Sequence, residues 1–297
     1  MALNKQVFKQ RATTAIVFVV IMLAGLLINQ WTFFLLFSFI HFGCWMEYLK
    51  MVGLIDKEYT YINPFHKYGV MIAGFSFMLW MLNDTYSFAD FRLQEIGWWA
   101  LVTFALVLPI SEILLSKKNN PRLMGYSFIG LLYISLSWGL MMDLRNKGLY
   151  LSAAKTGWWD AGVFLPLIVI GCMWVNDTMA YLVGSFIGKT PLSKISPKKT
   201  WEGTIGGIIL CVIIMGYVGS KYVDVSFPMQ GYHWYIIATL CAITGTAGDL
   251  LESKLKRMAG VKDSGSIMPG HGGFLDRFDS LILATPIVWL YIKLFVE

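Results

Sequence analysis

Nine apolar runs follow one another along the chain, at residues 13–29, 31–49, 68–83, 96–115, 123–142, 160–184, 203–221, 233–250 and 280–296, each bounded by a short polar stretch. A helix of about 20 such residues crosses the roughly 30 Å hydrocarbon core of a bilayer. Within lipid, every backbone N–H and C=O must be satisfied internally, which leaves helices or a closed barrel. Barrel strands alternate in hydrophobicity over about ten residues, and no segment here does so. The expected fold is therefore all-α, a polytopic integral membrane protein with about nine transmembrane helices. Three groups are expected: helices 1–3 in residues 1–95, helices 4–5 in 96–150, and helices 6–9 with their polar loops in 151–297.

Composition agrees, with 57% hydrophobic and only 14% charged residues among 297, where a soluble domain carries about a quarter charged. Lys5, Lys9 and Arg11 before the first run look like the start of a secretory signal. No small-residue cleavage site follows, and a second run begins at Trp31, so the first is read as a retained span. Cys44, Cys172, Cys211 and Cys241 fall in apolar runs without paired spacing and read as small buried hydrophobes.

The net charge of +6 does not call for nucleic acid, because basic residues in a membrane protein first set its orientation. With nine spans, the side holding the N-terminus collects eighteen lysines and arginines, and the other only Arg92, Arg145, Lys147, Lys155, Lys221 and Lys293. The N-terminus is thus expected in the cytoplasm and the C-terminus outside, in the cell's inner membrane. Trp98, Trp99, Trp158 and Trp159 sit at expected helix starts, where an interfacial aromatic belt belongs.

Three polar clusters fall on the cytoplasmic side. The first, Asn176-Asp177-Thr178 with Tyr181, lies inside the sixth run; a carboxylate there is costly unless it faces water or a partner. The second is the loop 188–203, with Lys189, Lys194, Ser196, Lys198, Lys199 and Thr200 just before the seventh run. Lysines and hydroxyls at a helix N-terminus suit phosphate oxygens, and contact with anionic lipid heads is the competing reading. The third extends from Asp249 through Ser253, Lys256, Arg257, Lys262 and Asp263 to His271-Gly272-Gly273, Asp276-Arg277 and Asp279. Antiparallel neighbours joined on this side are expected to let Asp249 and Asp276 approach each other. Converging carboxylates suit Mg²⁺, which is usually held by one or two of them plus substrate phosphates. The glycines beside His271 let the backbone come close to a ligand. No Walker-type loop, zinc-ligand spacing or serine elbow is present.

The third cluster resembles the signature of the phosphatidate cytidylyltransferases, the CDP-diacylglycerol synthases. That signature reads Ser, two residues, Lys-Arg, four residues, Lys-Asp, and on to Pro-x-His-Gly-Gly-x-x-Asp-Arg-x-Asp. Ser253, Lys256-Arg257, Lys262-Asp263, Pro269, His271-Gly272-Gly273 and Asp276-Arg277-Phe278-Asp279 match it throughout. Ser196-Pro197-Lys198-Lys199-Thr200 and Asp177-x-x-Ala180-Tyr181 are similar to two further stretches of the family. Met268 departs from its usual Leu, Ile or Phe, a change of little consequence at similar volume.

The resemblance implies conversion of CTP and phosphatidate to CDP-diacylglycerol and pyrophosphate, in phospholipid biosynthesis at the bilayer. It implies Asp249 and Asp276 as Mg²⁺ ligands, Asp279 beside them, and a second metal for which K⁺ is a candidate. Lys194, Ser196, Lys198, Lys199 and Thr200 would grip phosphates. Lys256, Arg257, Lys262 and Arg277 would line the site, with Ser253, Asp177 and His271 as substrate contacts. Family members tend to be dimers, so a homodimer is expected. A CTP-dependent polyprenol or phytol kinase is the near alternative, moving the γ-phosphoryl group and releasing CDP. A transporter would place its polar groups near the midplane, often with inverted repeats; here they gather at one face.

Overall fold

Side-chain caps fix where several helices begin. The Asn29 carboxamide accepts the N–H groups of Trp31 and Thr32, both at 2.9 Å, while the Thr32 hydroxyl takes the Asn29 N–H at 3.1 Å. This reciprocal cap ends one apolar run and starts the next. Asn63 accepts the Phe65 N–H and Asn120 the Arg122 N–H, each one-way and each with proline in the first turn, where its missing N–H costs nothing.

A computed structural model of the protein describes residues 5–115, 120–151, 161–223, 229–266 and 272–297. Its helices are α1 (Lys5–Leu27), α2 (Gln30–Ile55), α3 (Pro64–Trp80), α4 (Leu93–Leu115), α5 (Pro121–Gly130), α6 (Leu136–Leu151), α7 (Phe164–Ile187), α8 (Trp201–Val218), α9 (Tyr232–Met258) and α10 (Leu275–Phe295). A π-turn over Leu131–Ser135 runs α5 into α6, so the two make one span. Strand among the described residues is confined to a short hairpin, β1 (Ser87–Phe88) with β2 (Phe91–Arg92), between α3 and α4. Trp158, Trp159 and His271 lie outside the described residues.

Among the described residues, seven helical segments are long and apolar enough to cross a membrane; Thr13–Leu27 and the 17-residue α3 hold the other two expected positions. The chain is an integral membrane protein. On α8, Ile205, Ile209 and Ile213 form one outward stripe, each at least half exposed, while Gly203, Gly207, Cys211 and Met215 are buried opposite. A stripe of exposed isoleucine suits lipid as its solvent.

Two departures from the expected boundaries matter. The ninth helix, α9, runs eight residues past the expected end at 250, because Leu-Leu-Glu-Ser-Lys-Leu-Lys-Arg favours helix although it is not apolar enough to sit in lipid. It stops at Gly260 with φ +70°, where Val261 N–H bonds to Lys256 O and Gly260 N–H to Arg257 O, a Schellman closure. Asp249 therefore stands inside a helix rather than at its end. Arg145 and Lys147, counted as loop charges on sequence, lie within α6 and are buried. Lys147 is held by Glu297 and Asp143.

The described chain forms two compact units, Met1–Gly139 with Leu255–Phe278, and Leu140–Lys254 with Asp279–Glu297. In the first, aromatic rings of α2 fill the core and buried hydroxyls satisfy their polar edges. Ser135, presented by the π-turn, takes the Trp45 indole N–H at 2.9 Å and meets His41 Nε2 at 3.1 Å. Ser127 of α5 joins Tyr59 at 3.0 Å to His66 at 3.1 Å, and His66 Nδ1 faces Glu112 at 3.2 Å. Ser127→Ala leaves two buried polar groups short of a partner. It should cost about 1–3 kcal/mol, read as a lowered melting temperature in detergent.

The second unit is organised by the seam between α7 and α8. A Cβ on Gly207 would sit 2.8 Å from the backbone N of Ala180, and one on Gly203 would sit 2.9 Å from Cα of Gly184. Small residues spaced by four on both helices give this close approach, the usual means of helix association in lipid.

Candidate active site

The seam places one face of α7 beside the chain entering α8. Asn176, Ala180 and Gly184 follow at intervals of four, with Asp177, Tyr181 and Ser185 alongside, and all six line one cavity. Lys198, Lys199, Thr200 and Thr204 close it from the loop and the start of α8, and Thr246 and Asp249 close it from α9. Its volume is about 400 Å³, within the range of small-molecule sites. Asp177 lies ten residues before the end of α7, roughly 15 Å along the helix, and is exposed into this space.

The loop is shaped by its own backbone. Pro191 and Thr200 form an antiparallel bridge, Leu192 N–H bonds to Lys199 O at 2.7 Å, and Trp201 N–H bonds to Thr190 O at 2.9 Å. Glu202 turns back to accept the N–H groups of Lys189 and Thr190 at 3.1 and 3.2 Å. Thr200 caps α8 by accepting Gly203 N–H at 3.2 Å. Two first-turn donors of α8, the N–H groups of Trp201 and Gly203, are thus already committed. The ammonium groups of Lys198 and Lys199 supply the positive charge. Lys194 is exposed and Ser196 half-buried, and neither lines the cavity.

Lys199 is ion-paired with Asp249, and the Ser253 hydroxyl reaches the other Asp249 oxygen at 3.3 Å. Asp249 keeps acceptor capacity toward the cavity. Two carboxylates and three threonine hydroxyls around one space fit a magnesium-bound nucleotide, because Mg²⁺ takes few protein ligands beside phosphate. Among the described residues, no three His, Cys, Asp or Glu side chains converge as a metal-holding group. In the same unit, a Cβ on Gly248 would come 2.5 Å from the Asp279 carbonyl oxygen. The Asp279 carboxylate accepts the Ser280 N–H at 2.7 Å.

Asp276 belongs to the first unit, and its oxygens are well occupied. Oδ1 takes the Lys256 ammonium at 2.6 Å; Oδ2 accepts Ser264 N–H and Gly273 N–H, both at 2.8 Å, and meets the Ser264 hydroxyl at 2.9 Å. Gly272 has φ +84°, and a Cβ there would strike Asp276 Oδ2 at 2.5 Å, so only glycine suits the turn. Arg257, Lys262 and Arg277 are exposed.

Glu47 of α2, absent from the sequence-based set, reaches this turn. Its carboxylate accepts Phe274 N–H at 2.8 Å, Leu275 N–H at 2.9 Å and the Ser264 hydroxyl at 2.7 Å. A lone carboxylate in the second apolar run was the available signal.

The family model described as the Cytidylyltransferase family matches residues 9–295. The chain is 38% identical over 208 residues to "Phosphatidate cytidylyltransferase 4, chloroplastic" of Arabidopsis thaliana, covering 65% of this chain and 52% of that protein. It is 40% identical over 133 residues to the phosphatidate cytidylyltransferase of Synechocystis, covering 45% of this chain and 44% of that protein. With that of Bacillus subtilis it shares 33% over 222 residues, 73% of this chain and 77% of the relative. The matches thus span about half the length of the plant and cyanobacterial relatives and three quarters of the Bacillus one. By the extent of the family match, the chain belongs to the cytidylyltransferase family.

Proposed function

We propose that this protein transfers the cytidylyl group of CTP to phosphatidate, giving CDP-diacylglycerol and pyrophosphate for phospholipid biosynthesis. The observation that carries the reading is the cavity in which Asp177, Lys198, Lys199, Thr200 and Asp249 meet from three separate stretches of sequence. The names of the relatives support it.

Two polyanions must meet against their mutual repulsion, and the lysines at the cavity lower that cost. A phosphate oxygen of phosphatidate attacks the α-phosphorus of CTP; the new P–O bond forms as the bond to pyrophosphate breaks. In-line alignment and neutralisation of developing charge are the main demands. A phosphate monoester is already largely dianionic at pH 7, so no side chain need remove a proton. Lys199, paired with Asp249, would exchange that partner for a phosphate oxygen, with Lys198 and Thr200 as further contacts. Lys194, Ser196, Ser253, Lys256, Arg257, Lys262, His271 and Arg277 are assigned to substrate contact or to the positive surroundings. Asp249, Asp276 and Asp279 are the candidate ligands for Mg²⁺ and a second cation such as K⁺; a cation at Asp276 would take the place of the Lys256 ammonium. Bound there, the metal would neutralise charge on the phosphates.

The active site faces the cytoplasm in this reading, the N-terminus shares that side, and the protein sits in the inner membrane as a homodimer. Purified protein given radiolabelled CTP, Mg²⁺ and phosphatidate should release pyrophosphate and form CDP-diacylglycerol, and chelation with EDTA should stop both. Release of CDP with a phosphorylated lipid alcohol, and no pyrophosphate, would instead establish a kinase.

A further inference from the structure

We infer that Glu47, on the second span, is a positioning residue that sets the geometry of the Gly272–Asp276 turn. The inference rests on the proposed reaction for its catalytic consequence and on geometry alone for the tie itself. Three observations within the first unit meet at this carboxylate.

First, Glu47 accepts the backbone N–H groups of Phe274 and Leu275 at 2.8 and 2.9 Å. These are donors at the start of α10, which has no earlier turn to satisfy them. A carboxylate there also meets the positive end of the helix dipole.

Second, Glu47 shares the Ser264 hydroxyl with Asp276, at 2.7 and 2.9 Å. A hydroxyl carries one proton, so Ser264 donates to one carboxylate at a time. Glu47 thereby influences how firmly Asp276 is held, without touching it.

Third, Gly265 and Gly273 leave the room that Glu47 occupies. A Cβ on either would run into its carboxylate. The motif glycines invite the reading that a ligand comes close to the backbone; at Gly273 the group that comes close is Glu47.

Removing the carboxylate frees two helix-start N–H groups and lets the turn carrying Asp276 relax. A displacement of about 1 Å at a reacting group costs on the order of 100-fold in rate.

The test uses full-length protein in detergent and the variants Glu47→Ala, Glu47→Gln, Ser264→Ala and the double variant Glu47→Ala/Ser264→Ala. Glu47→Ala should lower kcat about 100-fold with KM for CTP changed less than about threefold. Glu47→Gln, which keeps one acceptor oxygen, should fall between it and wild type. The double variant should be no worse than Glu47→Ala within about twofold, because both changes cut one linkage. Amide exchange at Phe274 and Leu275 should quicken at least about tenfold, with exchange in α7 and α8 unchanged. The inference is overturned if Glu47→Ala and Glu47→Gln keep more than a third of kcat, if the double variant is strictly additive, or if exchange rises equally through every helix. Should wild-type protein form no CDP-diacylglycerol, the proposed reaction falls, and exchange at Phe274 and Leu275 alone decides whether Glu47 holds the turn.

Discussion

Asparagine in place of Asp249 should lower CDP-diacylglycerol formation at least about 100-fold, the scale on which loss of a charge-stabilising group acts. Asp249 is half-buried inside α9, paired with Lys199 and touched by Ser253. The amide keeps the shape and the hydroxyl contact but loses the charge. Lys199 then faces the cavity without its counter-ion, and hard-cation affinity falls with the carboxylate. The helix itself has no reason to change, so the melting temperature should stay within a few degrees of wild type. Asp276→Asn should lose activity comparably, through the Lys256 and Ser264 contacts. Either variant retaining more than a tenth of wild-type turnover, at matched folding, refutes the assignment of that residue.

The parts of this site legible in the sequence share one property: they put polar groups where apolar ones were expected. Asp177 stood out because it interrupts an apolar run, and Lys198, Lys199 and Thr200 because they crowd a loop. The cavity joins both with Asp249. Glu47 interrupts an apolar run as plainly, yet lies near its end, where a carboxylate can reach the interface unremarked. Its partners are more than 200 residues away, a separation that no local pattern reports. The extension of α9 to Met258 was hidden for the opposite reason: hydropathy marks where lipid ends, whereas helix propensity and the Gly260 closure mark where the helix ends. The π-turn at Leu131–Ser135 leaves no trace in periodicity, although it presents the Ser135 hydroxyl to Trp45 and His41.

Leucine at position 207 should unmake the cavity from its wall rather than from its chemistry. The atoms that a side chain there would meet are Cβ, N and Cα of Ala180, at 2.7, 2.8 and 2.9 Å. Two of the three are backbone of a packed helix and cannot swing aside as the end of a side chain would. Overpacking typically costs about 1–3 kcal/mol; with backbone as the obstacle, α7 and α8 must part. Separation removes the close van der Waals contact on which helix association in lipid depends. It also draws Lys198, Lys199 and Thr200, at the entry to α8, away from Asp177 on α7. Gly207→Leu should therefore lower the melting temperature by at least about 5 °C and activity at least tenfold, with Gly207→Ala between it and wild type. Ile209→Leu changes the outward stripe of the same helix and should alter neither. If Gly207→Leu melts and turns over like wild type, the two helices do not approach as closely as Gly203 and Gly207 permit, and the cavity loses the wall that brings its lysines to Asp177.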